Sequence, residues 1–266
     1  PTTNGKPSIN SKRPLNSWLR WTRNGKHDMK LTAQQSGSKS LTDTWRDWRG
    51  FIGFVAFMLV FRSAIADWNH VPSSSMLPSI LIGDRVIVNK LAYDLRIPFT
   101  FIRVTQWADP ERSDIVTFES PKDGRLMIKR VIGLPGDTIS LRDNRLSING
   151  SPAEYATDAN KVLPDELFLP FSHTRIVRET ALGQQRPIML FKQKPAWVES
   201  SFSSVTVPDG YYLMLGDNRD NSGDYRAIGF VPRRAILGRA SSVAFSFDVD
   251  NYYLPRSDRL MRSLRN

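Results

Sequence analysis

The feature that most restricts the fold is the shortness of the apolar runs after residue 80. Gly, Pro, Asn or Asp interrupts these runs at brief intervals, and within them apolar and polar residues often alternate. Runs of this length and period predict β-strands, whereas helical periodicity is nearly absent there. A hairpin is predicted over 139–150, around Asp143-Asn144. The strongest strand candidates are Arg85 to Val88, Asp114 to Phe118, Leu126 to Ile132, Ser204 to Val207, Tyr211 to Leu215 and Ser242 to Phe247. The sequence therefore predicts a mainly β fold.

One strongly apolar run precedes this region, from Gly50 to Phe61, and it is followed by Arg62. A membrane span needs about 20 apolar residues, so this run is short. A buried core helix or the apolar part of a signal peptide would also explain it. Three tryptophans flank it as interfacial anchors would: Trp45, Trp48 and Trp68. We therefore predict a transmembrane anchor at 49–67.

The positive charge of the chain is concentrated at its N-terminal end. The whole chain carries a formal net charge of +11, and residues 1 to 49 hold ten basic and three acidic side chains. This distribution argues against a nucleic-acid-binding face in the remaining residues. With a membrane anchor, the positive-inside rule predicts that the first segment is cytoplasmic and that residues beyond about 68 lie on the other side.

The residues available for catalysis are few, because the chain has no cysteine and only three histidines. No paired histidine spacing is present, so we expect neither a metal nor another cofactor. The histidines are poorly placed for a Ser-His-Asp triad, which leaves a Ser/Lys pair. A lysine acts as a base only when neutral, and an apolar environment lowers its pKa. Lys129 lies among apolar residues, but Lys90 does too, so the pattern alone leaves both open.

Two further stretches stand out. The charged segment 215–226 follows a predicted strand, and Arg219 interrupts the oxygen-ligand spacing of a calcium loop. The alternatives to a calcium loop are a charged turn with internal Asp-Arg pairs and a segment that supplies polar support beneath an active site.

The segment 93–109 predicts an apolar hairpin or loop, and we expect it to dip into a membrane surface. Its bulky side chains are Ile97, Phe99, Phe101, Ile102 and Trp107.

Three motifs together resemble the type I signal peptidases, also called leader peptidases. They are P-S-S-S-M-L-P-S-I-L-I-G-D from Pro72, I-K-R-V-I-G-L-P-G-D from Ile128, and G-D-N-R-D-N-S-G-D-Y-R-A-I-G-F-V-P from Gly216. The resemblance implies an N-terminal transmembrane helix, an all-β signal-peptidase-like catalytic domain and a smaller inserted β cap subdomain. The expected divisions are a basic cytoplasmic segment at 1–48, the anchor at 49–67, catalytic β domain at 68–150 and 204–266, and the cap at 151–203.

The resemblance also implies roles for individual residues. Ser75 would be the nucleophile and Lys129 the general base, with Ser73 as an oxyanion-hole donor. Ser222 would orient the lysine amine, and Asp224 with Arg226 would form a supporting ion pair. Substrate pockets that select small side chains, as in Ala-x-Ala, would be lined by Val71, Met76, Ile80, Met127 and Ile128.

The predicted function is removal of N-terminal signal peptides from exported preproteins by a membrane-bound serine endopeptidase. Its partners would be preproteins and the lipid bilayer, and we expect a monomer that binds no nucleic acid. The expected location is the bacterial inner membrane, with the catalytic domain on the periplasmic or outer face. Two alternatives stay open: a dedicated Ser/Lys maturation peptidase for one secretion or conjugation substrate, and a catalytically silent envelope binding protein.

Overall fold

The computed structural model describes residues 41–100, 102–157, 173–249 and 251–265. The chain divides into two compact units, Pro1–Trp48 and Arg49–Asn266, and the sheets belong to the second. The described helices are α1 (Leu41–Ala64) and α2 (Tyr225–Ile228). The strands are β1 (Ala66–His70), β2 (Asp84–Asn89), β3 (Asp94–Arg96), β4 (Arg103–Gln106), β5 (Ile115–Glu119), β6 (Leu126–Gly133), β7 (Thr138–Arg142), β8 (Arg145–Ile148), β9 (Ser151–Pro152), β10 (Glu154–Thr157), β11 (Thr174–Ala181), β12 (Gln184–Phe191), β13 (Phe202–Thr206), β14 (Tyr211–Leu215), β15 (Val231–Pro232), β16 (Ile236–Asp248), β17 (Leu254–Pro255) and β18 (Arg262–Ser263).

The apolar run Gly50 to Phe61 lies within α1, and its side chains are exposed. Within the described ranges, no helix is long and apolar enough to cross a membrane. The predicted transmembrane helix at 49–67 is therefore not supported. Its charge-free stretch is only twelve residues long, between Arg49 and Arg62. The helix also ends at Ala64, so the last two residues of the predicted anchor lie in β1.

The predicted β architecture is confirmed, and one large sheet carries most of the second unit. Its order is β1-β2-β16-β5-β6-β14-β15, and β17 and β18 also pair with β16. All of these pairs are antiparallel. Each of the six strand candidates overlaps a strand of the structure, namely β2, β5, β6, β13, β14 or β16. Antiparallel strands can bury one face only, and β2 shows this alternation, whereas β5 and β14 are buried on both faces.

The remaining strands form three smaller sheets. The order β13-β7-β8-β9 contains the hairpin predicted over 139–150. That prediction is confirmed: Asp143 and Asn144 have φ angles of 48° and 61°, the left-handed conformation of a two-residue hairpin turn. A second sheet, β10-β11-β12, lies within the described part of 151–203. The third is the β3-β4 hairpin, in the segment with the apolar side chains at 93–109.

Candidate active site

The segment between β1 and β2, which contains the three consecutive serines, is held rigidly against the sheet. Met76, Leu77 and Ile80 are completely buried, and Met76 and Ile80 pack in a core cluster with residues of β2, β5 and β16. The end of the segment is fixed by Asp84, whose carboxylate accepts a hydrogen bond from the Leu81 N–H at 2.8 Å and forms a buried ion pair with Arg259. This packing leaves Ser75 only 8% exposed at the edge of the core.

Lys129 reaches this serine from β6, a central strand between β5 and β14. It lies opposite Val116 of β5 and is 3% exposed, so it does not point to solvent from an edge strand. Its Nζ lies 2.7 Å from Ser75 Oγ and donates a second hydrogen bond to the Ile128 carbonyl at 2.9 Å. The structure therefore brings the predicted nucleophile and base into direct hydrogen-bond contact.

The surroundings of Lys129 lower its pKa from the ordinary value. Burial disfavours the ammonium and lowers the pKa of Lys129 from 10.5 to about 8. The carboxylates of Asp224 and Asp217 act in the opposite direction and raise it, but burial has the larger effect. A useful fraction of the amine is consequently neutral near neutral pH, as proton abstraction from a serine hydroxyl requires.

The charged segment predicted as possible polar support lies directly beneath Ser75. The Asn218 N–H donates to the Ser75 carbonyl at 3.1 Å, and its Nδ2 donates to the Ser74 carbonyl at 3.2 Å. Gly216 is required by the same close approach, because a Cβ there would lie 2.6 Å from the Ser75 carbonyl oxygen. Asn218 was missed as a site residue, although it lies inside the quoted third motif. Its role becomes visible only once that motif and the serine segment are known to touch.

The predicted supporting ion pair is present. Asp224 is fully buried, and its carboxylate lies 2.7 Å from Arg226 Nη2. The same carboxylate accepts hydrogen bonds from the backbone N–H groups of Gly216 and Arg226, so it caps α2 and fixes the start of the third motif. Asp224 thus holds the turn that carries Asn218 and Ser222.

The two remaining predicted polar residues differ in their contacts. Ser73 Oγ lies 3.3 Å from Ser75 Oγ, so both hydroxyls face the same space. Ser222 Oγ is buried against Gly216 and makes no hydrogen bond with any described residue. Orientation of the lysine amine by Ser222 therefore stays a prediction, whereas the proximity of Ser73 to the nucleophile is observed.

An apolar cavity of about 130 Å³ adjoins Ser73 and Lys129. Three of the five predicted pocket residues line it: Val71, Met127 and Ile128. Met76 and Ile80 do not line this cavity; they pack in the core cluster with residues of β2, β5 and β16. Sequence reasoning missed other lining residues, namely Asn69, His70, Pro72, Thr117 and Leu126. Thr117 could have been found from strand pairing, since it lies opposite Ile128.

Comparison with known proteins gives one consistent family. The family model "Signal peptidase, peptidase S26" matches residues 45–245. Signal peptidase I of Pseudomonas aeruginosa is 35% identical over 202 residues, covering 71% of this chain and 68% of the relative. Signal peptidase I of Buchnera aphidicola subsp. Acyrthosiphon pisum is 31% identical over 239 residues, covering 77% of this chain and 76% of the relative. Signal peptidase I of Rickettsia typhi is 35% identical over 206 residues, covering 71% of this chain and 75% of the relative. The matched region includes all three motifs.

Proposed function

This chain belongs to the signal peptidase family of serine hydrolases, peptidase S26, and from that premise we propose that it removes N-terminal signal peptides from exported preproteins with a Ser75/Lys129 dyad. The observation that carries the proposal is the 2.7 Å contact between Ser75 Oγ and the buried Lys129 Nζ. The contact also argues against a catalytically silent binding protein, because burying an unused lysine in a core has a desolvation cost.

In the first step, Ser75 Oγ attacks the carbonyl carbon of the scissile peptide bond. The neutral Lys129 amine accepts the hydroxyl proton as the new C–O bond forms. Negative charge develops on the former carbonyl oxygen, and the Ser73 hydroxyl with the Ser75 backbone N–H would donate hydrogen bonds to it. Ser73 is suited to this role because its Oγ lies 3.3 Å from the attacking oxygen.

Collapse of the tetrahedral species breaks the C–N bond and leaves an acyl-enzyme on Ser75. The Lys129 ammonium returns its proton to the departing amine, which becomes the new N-terminus of the mature protein. Lys129, neutral again, then takes a proton from water as that water attacks the ester. The second collapse releases the signal peptide and restores the Ser75 hydroxyl.

The cavity beside the dyad supports a preference for small side chains. Its volume of about 130 Å³ is modest, and Val71, Met127 and Ile128 make its walls largely apolar. A cavity of this size and polarity favours alanine over bulky or charged residues near the cleavage point. Cleavage after small residues, as in Ala-x-Ala, is therefore part of the proposal.

As part of the same proposal, the enzyme works at the surface of the bacterial inner membrane, with the catalytic unit on its periplasmic or outer face. Exposed apolar side chains of the segment around β3 and β4 support contact with lipid: Phe99 is 70% exposed, Ile102 60% and Trp107 53%. Sedimentation with liposomes tests this part of the proposal. Phe99→Ser with Trp107→Ser should weaken liposome binding, and binding equal to that of the wild type would contradict a role for this surface.

The proposed reaction is tested by incubating the protein with a preprotein whose signal peptide ends in Ala-x-Ala. Mass spectrometry of the products identifies the bond that is cut. Ser75→Ala should abolish cleavage, whereas the neighbouring Ser74→Ala is a matched control that should retain it. Cleavage of one preprotein alone, among several, would favour the dedicated maturation peptidase. Cleavage by Ser75→Ala at the rate of the wild type would contradict the assignment.

A further inference from the structure

The described part of 151–203 contains a buried ionic cluster that the proposed reaction does not use. Its centre is Glu179 on β11, which is fully buried. Glu179 Oε1 lies 2.7 Å from Arg186 Nε on β12 and 2.7 Å from Arg219 Nη2 of the third motif. The other oxygen, Oε2, accepts a hydrogen bond from the Tyr155 hydroxyl at 2.9 Å. One carboxylate thus joins the β10-β11-β12 sheet to the segment beneath Ser75.

Glu179 remains ionised at neutral pH. Burial alone would raise the pKa of Glu179, but the charges of Arg219 and Arg186 outweigh it and lower this pKa to about 2. Both arginines are almost completely buried, and among the described residues Glu179 is the carboxylate that forms an ion pair with each of them. Removing the negative charge would leave two guanidinium groups unpaired in the interior, which is a large penalty.

Backbone hydrogen bonds continue from this cluster to the nucleophile. Met189 of β12 donates its N–H to the Asp217 carbonyl at 2.8 Å and accepts from the Arg219 N–H at 3.0 Å. Between these two contacts lies Asn218, whose N–H donates to the Ser75 carbonyl at 3.1 Å. Two successive hydrogen bonds therefore connect β12 with the nucleophile segment: one from Met189 to the third motif, and one from Asn218 of that motif to the Ser75 carbonyl.

A second path leads from the same cluster to the strand of the base. Arg186 Nη1 donates to Ser113 Oγ at 3.0 Å, and Arg130 Nη1 donates to the Ser113 carbonyl at 2.8 Å. Arg130 follows Lys129 on β6 and forms a buried ion pair with Asp217 at 2.7 Å. The segment that carries Ser75 and the strand that carries Lys129 are thus both connected to the two arginines that contact Glu179.

We propose that Glu179 is a positioning residue, and that the β10-β11-β12 sheet holds the third motif so that Asn218 fixes the Ser75 carbonyl and thereby the Ser75 hydroxyl. Arg219 transmits the constraint, because its side chain is bound by Glu179 while its backbone N–H is bound by Met189. The catalytic consequence rests on the proposed function, but the structural consequence does not. Displacement of a nucleophile by about 1 Å can reduce the rate about 100-fold.

The test uses Glu179→Gln, which keeps the shape of the side chain and removes its charge. Glu154→Gln is the matched control, since Glu154 lies exposed on β10 of the same sheet. Hydrogen-deuterium exchange needs no substrate, and we expect the amides of Asn218 and Arg219 to exchange faster in Glu179→Gln but not in Glu154→Gln. Tyr155→Phe removes the hydrogen bond to Glu179, together with those to Leu146 and Asn144 on the β7-β8 hairpin, and leaves the charges paired. It should fold and show a smaller change in the same amides.

Kinetics on the folded variants separate positioning from stability. Glu179→Gln should lower kcat about 10- to 100-fold with little change in KM, because the cluster does not line the substrate cavity. Unchanged exchange of the two amides in both Glu179→Gln and Tyr155→Phe would overturn the proposal. So would a kcat that equals that of the wild type after correction for the folded fraction. Failure of the wild type to cleave any preprotein would instead overturn the proposed function, and the exchange result would still decide the role of Glu179.

Discussion

Lys129 and Lys90 both lie next to apolar residues in the sequence, but their surroundings in the structure are opposite in character. Lys129 lies on a central strand and is 3% exposed, and its side-chain hydrogen bonds go to Ser75 Oγ and one backbone carbonyl. The Lys90 side chain is 22% exposed and lies near the end of α1. Its Nζ donates to the carbonyls of Arg62 and Ser63 and lies 3.6 Å from Asp67.

The difference shows what makes a lysine usable as a base. At Lys129 the interior disfavours the ammonium, and a hydroxyl is the nearest proton donor. At Lys90 the contacts of Nζ are two carbonyl oxygens at 3.0 and 3.2 Å and a carboxylate at 3.6 Å, and none of these is a hydroxyl. Both lysines have apolar neighbours in the sequence. They differ in how deeply the side chain is buried and in which atoms the Nζ contacts.

The largest effect should come from exchanging the two lysines for methionine, one at a time. Lys129→Met removes the base and should lower kcat/KM by about 100- to 10,000-fold. Lys90→Met removes contacts with the end of α1 and with Asp67 on β1, none of them with Ser75, so its kcat/KM should equal that of the wild type. Preprotein cleavage by the purified, folded variants measures both. Equal losses in the two variants would contradict the distinction.

The acidic partners near the two lysines should differ in their effect on stability. Asp217→Asn leaves Arg130 without its counter-charge in a pair that is 2% exposed on both sides, which should cost about 3–5 kcal/mol. Asp67→Asn disrupts a pair with Arg62 that is half exposed, and should cost no more than about 1 kcal/mol. Urea unfolding gives both free energies. A larger loss in Asp67→Asn than in Asp217→Asn would reverse the comparison.

A smaller effect is expected within the nucleophile segment. Ser73→Ala removes the proposed oxyanion donor and should lower kcat by about 100- to 1000-fold with little change in KM. Ser74 is the matched control, because its hydroxyl accepts a hydrogen bond from Asn221 Nδ2 at 3.0 Å instead of facing Ser75 Oγ. Single-turnover cleavage by the two alanine variants measures the rate of the step in which the oxyanion forms and the peptide bond breaks. An assay of this kind resolves a difference of roughly twofold. A kcat for Ser73→Ala that lies within that range of the Ser74→Ala value would exclude Ser73 from the oxyanion hole.

Much of this arrangement could be predicted from sequence, because the strands are short and their patterns are regular. The β7-β8 hairpin followed from Asp143-Asn144 and the alternation on either side. The proximity of Ser75 and Lys129 followed from the family resemblance, since periodicity alone did not separate Lys129 from Lys90. Asp224 and Arg226 were also expected as an ion pair.

Other features depend on contacts between segments that are distant in the chain. Met76 and Ile80 were predicted to line a substrate pocket, but their burial is set by β2, β5 and β16, which no local pattern reveals. Thr117 differs from these two, because it pairs with Ile128 of the next strand and could have been found from that pairing. Glu179 lies in the insert without a recognised motif, and its 2.7 Å contacts with Arg219 and Arg186 connect it with the active site.

The most direct test of a neutral Lys129 acting on Ser75 is the pH dependence of kcat/KM. The pKa of Lys129 is lowered to about 8, so the neutral fraction, and with it kcat/KM, should rise about tenfold per pH unit below 8 and become constant above it. NMR titration of the Lys129 Nζ should give the same apparent pKa as the rate profile. A kcat/KM that is independent of pH between roughly 6 and 9, in a protein that stays folded over that range, would contradict the account. So would an amine that titrates near its ordinary value of 10.5.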